Sequence, residues 1–139
     1  MEKAIIIYKS MKGTTEQFSH EIADFFTSKG IQSKVTSIEN YYETDLSSYD
    51  YVFLGCWTKG LMFFAQHPDD QWQKFVKLLA LPAHVKIAMF TTYKIAVGSM
   101  FSRMIRCLPE KSRENVLTIK SKNRTLPVEM IAKIEDFIN

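Results

Sequence analysis

Short apolar runs alternate along the chain with stretches in which apolar residues recur every three or four positions, and that change of period leaves few folds open. AIIIY at 4–8, YVFLG at 51–55 and VKIAMF at 85–90 read as strands buried on both faces, as in a parallel sheet. Residues 31–38 and 115–119 are looser and more β-branched, the first fitting a strand near a sheet edge. Between them, Phe18, Ile22, Phe25 and Phe26 mark one helix face, and Gly30 stands where a left-handed cap belongs. Pro68, Asp69 and Asp70 open a second helix with Trp72, Phe75, Val76 and Leu79 on its apolar side. Phe101, Met104, Ile105 and Leu108 mark a further helix, and Met130, Ile131, Ile134, Phe137 and Ile138 the closing one. ENYYETDLSSYD, residues 39–50, is polar and turn-rich and is expected to hold a short or irregular helix. Five strands alternating with helices predict an α/β fold, a three-layer sandwich around a five-stranded parallel sheet, because crossovers between parallel strands are helical and right-handed.

At 139 residues with 46% hydrophobic positions, the expectation is a single domain over residues 1–139 with a full core. The 18 Lys and Arg against 15 Asp and Glu leave a net charge of +3, too small and too dispersed to argue for nucleic acid. The N-terminal apolar run is far short of the roughly 20 residues of a membrane span, so a cytoplasmic protein with no membrane span is expected. Cys56 and Cys107 lack metal or redox spacing and read as reduced, packed thiols. His20, His67 and His84 are scattered, which argues against a metal site.

In open parallel sheets, ligands gather beyond the carboxyl ends of the strands. Three loops fall there: residues 9–15, 56–67 and 91–99. The first, SMKGTT, offers hydroxyls at Ser10, Thr14 and Thr15, a cation at Lys12 and a close backbone approach at Gly13, all at a helix N-terminus. Unpaired N–H groups and the helix dipole make such a place an anion site. Capping alone, with Thr14 and Gln17 as a capping box, accounts for one of those hydroxyls. Neither G-x-x-x-x-G-K-[ST] nor G-x-G-x-x-G occurs, which counts against ATP, GTP and dinucleotides.

Over nearly its whole length the chain resembles the flavodoxins and short flavodoxin-like domains. Ser10, Met11, Lys12, Gly13, Thr14, Thr15 and Glu16 follow that family's phosphate loop, T/S-x-T-G-x-T-E, with Lys12 in place of a threonine. SYDYVFLGCWTKG is similar to its third strand and flavin loop, and KIAMFTTY to its fourth strand. The resemblance implies strand order 2-1-3-4-5, flavin mononucleotide (FMN) as cofactor, and electron shuttling between redox partner proteins. It further implies a cofactor site built from Ser10, Met11, Lys12, Gly13, Thr14 and Thr15, then Cys56, Trp57, Thr58, Lys59 and Gly60, then Thr91, Thr92 and Tyr93. Trp57 and Tyr93 are the expected flanking rings, and Thr58, Lys59 and Gly60 the groups at the ring's polar edge, with Gly60 a peptide able to turn towards the flavin. Phe63 and Phe64 are adjacent, so one of them is expected to face outward for docking. Lys12 is positioned in this reading to meet the phosphate, and Lys59 to favour an anionic reduced flavin.

Two other classes stay open at this level: a flavin-dependent reductase or oxidase acting on a small substrate such as a quinone, and a flavin-free scaffold of the same fold. Flavin colour separates the scaffold from the others, and turnover without an added redox partner separates the enzyme. A pI near 8.8 contrasts with the acidic character usual among electron-carrying flavodoxins and points to a docking partner of different charge. The basic run of Arg103, Arg106, Lys111 and Arg113 reads mainly as a solvated helix face and loop, with an acidic partner as its functional alternative.

Overall fold

The computed structural model describes residues 2–43, 45–59 and 65–139. In chain order these form β1 (Lys3–Lys9), α1 (Thr14–Ser28), β2 (Gln32–Ser37), β3 (Tyr51–Trp57), α2 (Asp70–Leu78), β4 (Lys86–Thr92), α3 (Met100–Ile105), β5 (Leu117–Ser121) and α4 (Val128–Ile138). A single 3-10 turn spans Glu110–Ser112. The strands make one sheet in the order β2-β1-β3-β4-β5, every neighbouring pair parallel. All five strands therefore end at the same edge of the sheet. The order reverses at β1, with β3 on one side and β2 on the other, which leaves a crevice above the ends of β1 and β3.

Strand alternation divides the core in two. Ile5, Ile7, Val52, Leu54, Cys56, Ile87 and Met89 face α2 and α3, where Trp72, Val76, Met100 and Met104 close over them. Ala4, Ile6, Tyr51, Phe53, Ala88, Phe90 and Ile119 face the other way, onto Phe18, Ile22 and Phe26 of α1 and Ile134 of α4. β1, β3 and β4 lie inside the sheet and are apolar on both faces, as the uninterrupted runs predict.

Gly55 has a specific task in this packing. A side-chain Cβ there would lie 2.2–2.4 Å from three ring atoms of Phe90, so the ring occupies the space that a larger residue would fill. Phe90 in turn meets Phe18 of α1 edge-on, centroids 5.9 Å apart. The start of α1 is thereby held against the ends of β3 and β4.

Two local expectations differ from the structure. The described residues between β2 and β3 form turns and no helix: Asp45 Oδ1 accepts the Ser47 amide at 2.9 Å, a side-chain turn that competes with helical bonding, while Leu46 and Tyr49 bury against the sheet. The third helix is also short. Its apolar pattern runs on to Leu108, but Cys107 and Leu108 donate to Met104 and Ile105, three residues back, so the last turn tightens and ends.

Candidate functional site

At the strands' carboxyl edge lies a pocket of about 360 Å³. Ser10, Met11, Lys12, Thr14 and Thr15 line it from the loop between β1 and α1, Trp57, Thr58 and Gln66 from the connection after β3, and Thr92 to Ala96 from the loop after β4. Lys122, just beyond β5, completes it. Three loops far apart in sequence converge because their strands are adjacent and parallel.

The first loop turns at Gly13, whose φ of 91° lies in the left-handed region. The requirement is conformational, since a Cβ there would touch nothing within 4 Å. Gly13 is also the N-cap of α1, and no side chain caps the helix from that position. The alternative of a Thr14–Gln17 capping box is therefore not met: Gly13 is the N-cap, and Gln17 N–H donates to its carbonyl at 3.0 Å. Ser10 does related work from outside the helix, its Oγ accepting the amides of Gly13 at 3.0 Å and Glu16 at 3.4 Å. The amides of Thr14 and Thr15 and the Thr14 hydroxyl have no partner among the described residues. Buried or half-buried donors left in this state mark a place where an acceptor belongs.

Beneath the pocket a chain of hydroxyls ties the loops together. The Thr15 and Thr92 hydroxyls lie 2.7 Å apart and both residues are buried, which locks α1 to β4. Thr91 Oγ1 donates to the Cys56 carbonyl at 2.6 Å and lies 2.8 Å from Thr58 Oγ1. Thr91 has spent its single proton, so Thr58 is the donor of that pair and keeps an oxygen lone pair for the pocket. Thr58 N–H donates to the Thr92 carbonyl and Tyr93 N–H to the Ser121 carbonyl, each at 3.1 Å.

Trp57 and Tyr93 supply two aromatic rings to the lining. Trp57 Nε1 is buried and has no acceptor among the described residues. Lys120 and Lys122 hold their ammonium groups 5.9 and 6.0 Å from the centre of the Tyr93 ring. Lys12, Lys94 and Lys122 line the pocket, and among the described residues no carboxylate does.

Below the rim of the pocket, burial together with the charge and hydrogen bond of Glu16, and more weakly the charge of Glu39, pushes the Tyr8 phenol up to about 12. Burial likewise drives the Cys56 thiol upward, out of the range where a thiolate forms near neutral pH.

Of the residues singled out from sequence, Cys56 and Thr91 are fully buried and act as supports under the pocket. Lys59 is joined to His67 by a pair of backbone hydrogen bonds, and its side chain is not among those lining the cavity. Gly60, Phe63 and Phe64 lie outside the described residues. Gln66, Lys94, Ile95, Ala96 and Lys122 join the lining without having been singled out. The rule that ligands collect at strand ends marks the loop after the fifth strand as a region, but nothing local to Lys122 singles it out within that loop.

A family model described as Flavodoxin matches residues 6–110. Among solved structures, the two-electron reduced Megasphaera elsdenii flavodoxin is similar at 20% identity, covering 96% of this chain and 96% of that one, with a TM-score of 0.72. Oxidised Flavodoxin 1 from Bacillus cereus shares 24% identity over 98% of this chain and 94% of its own, TM-score 0.62. A Fusobacterium nucleatum flavodoxin mutant, K13G, bound to flavin mononucleotide, shares 16% identity over 99% and 94%, TM-score 0.59. The chain belongs to the flavodoxin family, a class of FMN-binding electron-transfer proteins. Its sheet order and layers are those of the flavodoxin-like fold.

Proposed function

We propose that the pocket at the strand ends holds FMN and that the protein carries electrons between redox proteins of the cytoplasm, without a substrate of its own. Family membership supports the cofactor, as does the FMN-bound relative. The observation in this chain that carries the reading is the pairing of two unlike ends in one cavity: unpartnered amides and a hydroxyl at the start of α1, and two aromatic rings a loop away.

The residues fit the group. A phosphate at the first loop would take the amides of Thr14 and Thr15, the Thr14 hydroxyl and the charge of Lys12, with Ser10 and Gly13 fixing the loop's shape. Trp57 and Tyr93 would flank a flat aromatic plate, and the Thr58 oxygen would meet its polar edge. Cys56, Thr91 and Thr92 keep the two loops in register from below. FMN, once bound, supplies reversible uptake of one or two electrons. Met11, 56% exposed, and the exposed Lys94 and Ile95 leave an open margin on the same side, suited to electron exchange with another protein.

The test is a visible spectrum of the purified protein followed by titration of the flavin-free form with FMN, read by quenching of flavin fluorescence. Saturable quenching, weakened in Thr14→Ala and in Trp57→Ala, is expected. A folded flavin-free protein that leaves the fluorescence unchanged refutes the reading.

A further inference from the structure

We propose that electron-transfer partners dock on a lysine rim centred on Tyr93, and that the matching surface of those partners is acidic. The proposal rests on the cofactor reading above for what lies behind the rim. Its elements come from three parts of the fold: Lys94 follows Tyr93, Lys120 and Lys122 lie at the end of β5, and Lys12 stands across the pocket mouth. All four side chains are exposed.

Three features separate this rim from an ordinary solvated face. The first is where the charge stays uncompensated. Lys9, Lys29 and Lys34 pair with Glu39, Glu135 and Glu43, whereas Lys12, Lys94, Lys120 and Lys122 pair with no carboxylate among the described residues. Four lysines without an ion pair are thus gathered at one edge of the sheet.

The second is what lies next to the charge. A groove of about 620 Å³ adjoins the pocket on the far side of Tyr93, bounded by Lys120, Lys122 and Lys133 and floored by Val97, Phe101 and Met130. Ile95, 43% exposed, lines both cavities, and among the described residues no carboxylate lines either. An apolar strip inside a single-sign charged border has the anatomy of a docking surface: desolvated centre, steering rim.

The third is the posture of the lysines. Lys120 and Lys122 both hold their ammonium groups near the Tyr93 ring, 5.9 and 6.0 Å from its centre, so two like charges border one residue of the pocket lining. An approaching carboxylate surface is attracted by both charges, and a basic one is repelled by both. Clustered charge of one sign raises association rates by roughly ten- to a thousandfold at low salt, in favour of the opposite sign.

The experiment uses the FMN-loaded protein, reduced anaerobically and mixed by stopped flow with two small acceptors: hexacyanoferrate(III), a trianion, and tris(phenanthroline)cobalt(III), a trication. Each acceptor ion takes one electron and becomes iron(II) or cobalt(II), so one two-electron-reduced flavin consumes two ions and its protons pass to the buffer. Raising sodium chloride from about 10 to about 200 mM is expected to slow the anion reaction about tenfold and to speed the cation reaction. In Lys120→Glu/Lys133→Glu both dependences should invert while FMN titrates as in the parent; Lys86→Glu/Lys111→Glu, which lowers the net charge equally but lies away from both cavities, should leave them in the parent's direction, which separates the rim from the protein's net charge. As a second readout, amide shifts during titration with a decaglutamate peptide should cluster at Lys94, Lys120 and Lys122. Rates indifferent to salt, dependences unchanged in the variant, or shifts centred on the other basic groove at Lys77, Arg103 and Arg106 overturn the proposal. So does a single-stranded oligonucleotide that displaces the peptide at lower concentration. If FMN fails to bind, the cofactor reading falls separately, and the peptide titration on the flavin-free protein still decides the docking surface.

Discussion

Replacing Gly55 with alanine tests how closely the helix that starts the site is fitted to the sheet. A Cβ at that position would come within 2.2, 2.3 and 2.4 Å of three atoms of the Phe90 ring, more than 1 Å inside ordinary contact. The ring has nowhere to go: it is fully buried and braced edge-on against Phe18. Overpacking of a core typically costs about 1–3 kcal/mol, and with backbone on one side and a braced ring on the other the upper end applies, about 3 kcal/mol. Phe90→Ala alone should cost about 3–5 kcal/mol through the cavity it leaves. In that background Gly55→Ala meets no ring and trims the unfolded chain's freedom, so its effect should fall between zero and a gain of about 1 kcal/mol. The coupling is therefore about 3 kcal/mol, measured by urea denaturation of the flavin-free single and double variants with far-ultraviolet circular dichroism. If Gly55→Ala costs less than about 1 kcal/mol, or costs the same with and without the ring, the reasoning about this contact is wrong.

Gly13→Ala should destabilise by about 1–2 kcal/mol although nothing obstructs its Cβ, because the left-handed backbone itself is the cost; Gly13→Asn should cost less, as thermal denaturation can show. Alkaline pH should unfold the protein early. Burial, aided by the hydrogen bond and charge of Glu43, pushes the Tyr49 phenol up to about 12 from an unfolded value near 10. The neutral phenol is the form favoured in the fold, so this stabilisation is complete below pH 10 and is lost as pH climbs towards 12, by at most about 3 kcal/mol. The slope of stability against pH above 10 should be shallower in Tyr49→Phe. For the redox couple, Lys94→Ala and Lys122→Ala should each make the reduced flavin harder to form, lowering the midpoint by a few tens of millivolts at low salt. Lys59→Ala should move it less, since its side chain does not line the pocket; potentiometry that ranks Lys59 above the other two restores the expectation drawn from sequence.

The layers were legible because β1, β3 and β4 are buried on both faces, which writes them as unbroken apolar runs, and because α1 closes on Gly30 at φ 75°. Less was legible where a side chain competes with the backbone. Thr14 looks like half of a capping box, but Gly13 turns the chain in the left-handed region and Ser10, three residues before it, takes the amides instead. Residues 39–50 look partly helical, but Asp45 closes a local turn and Leu46 and Tyr49 are drawn into the core. For the site, Ser10 to Thr15, Trp57, Thr58, Thr92 and Tyr93 were marked by chemistry and position together. Cys56 and Thr91 were marked by position alone, and strand alternation points them into the α2 side of the core. Lys122 carries no local signature at all: a single lysine after a short strand acquires meaning only when β5 pairs with β4 and brings it beside Tyr93.

The central claim is that the start of α1 grips a phosphate while two rings hold a flavin. Parallel calorimetric titrations of the flavin-free protein with FMN and with riboflavin, which lacks the phosphate, test it most directly. Charge-assisted hydrogen bonds from two amides, a hydroxyl and a lysine should together favour FMN by at least about 3 kcal/mol, a hundredfold or more in affinity. Equal binding of the two flavins would contradict the assignment of the phosphate to that loop, and heat from neither would contradict the site as a whole.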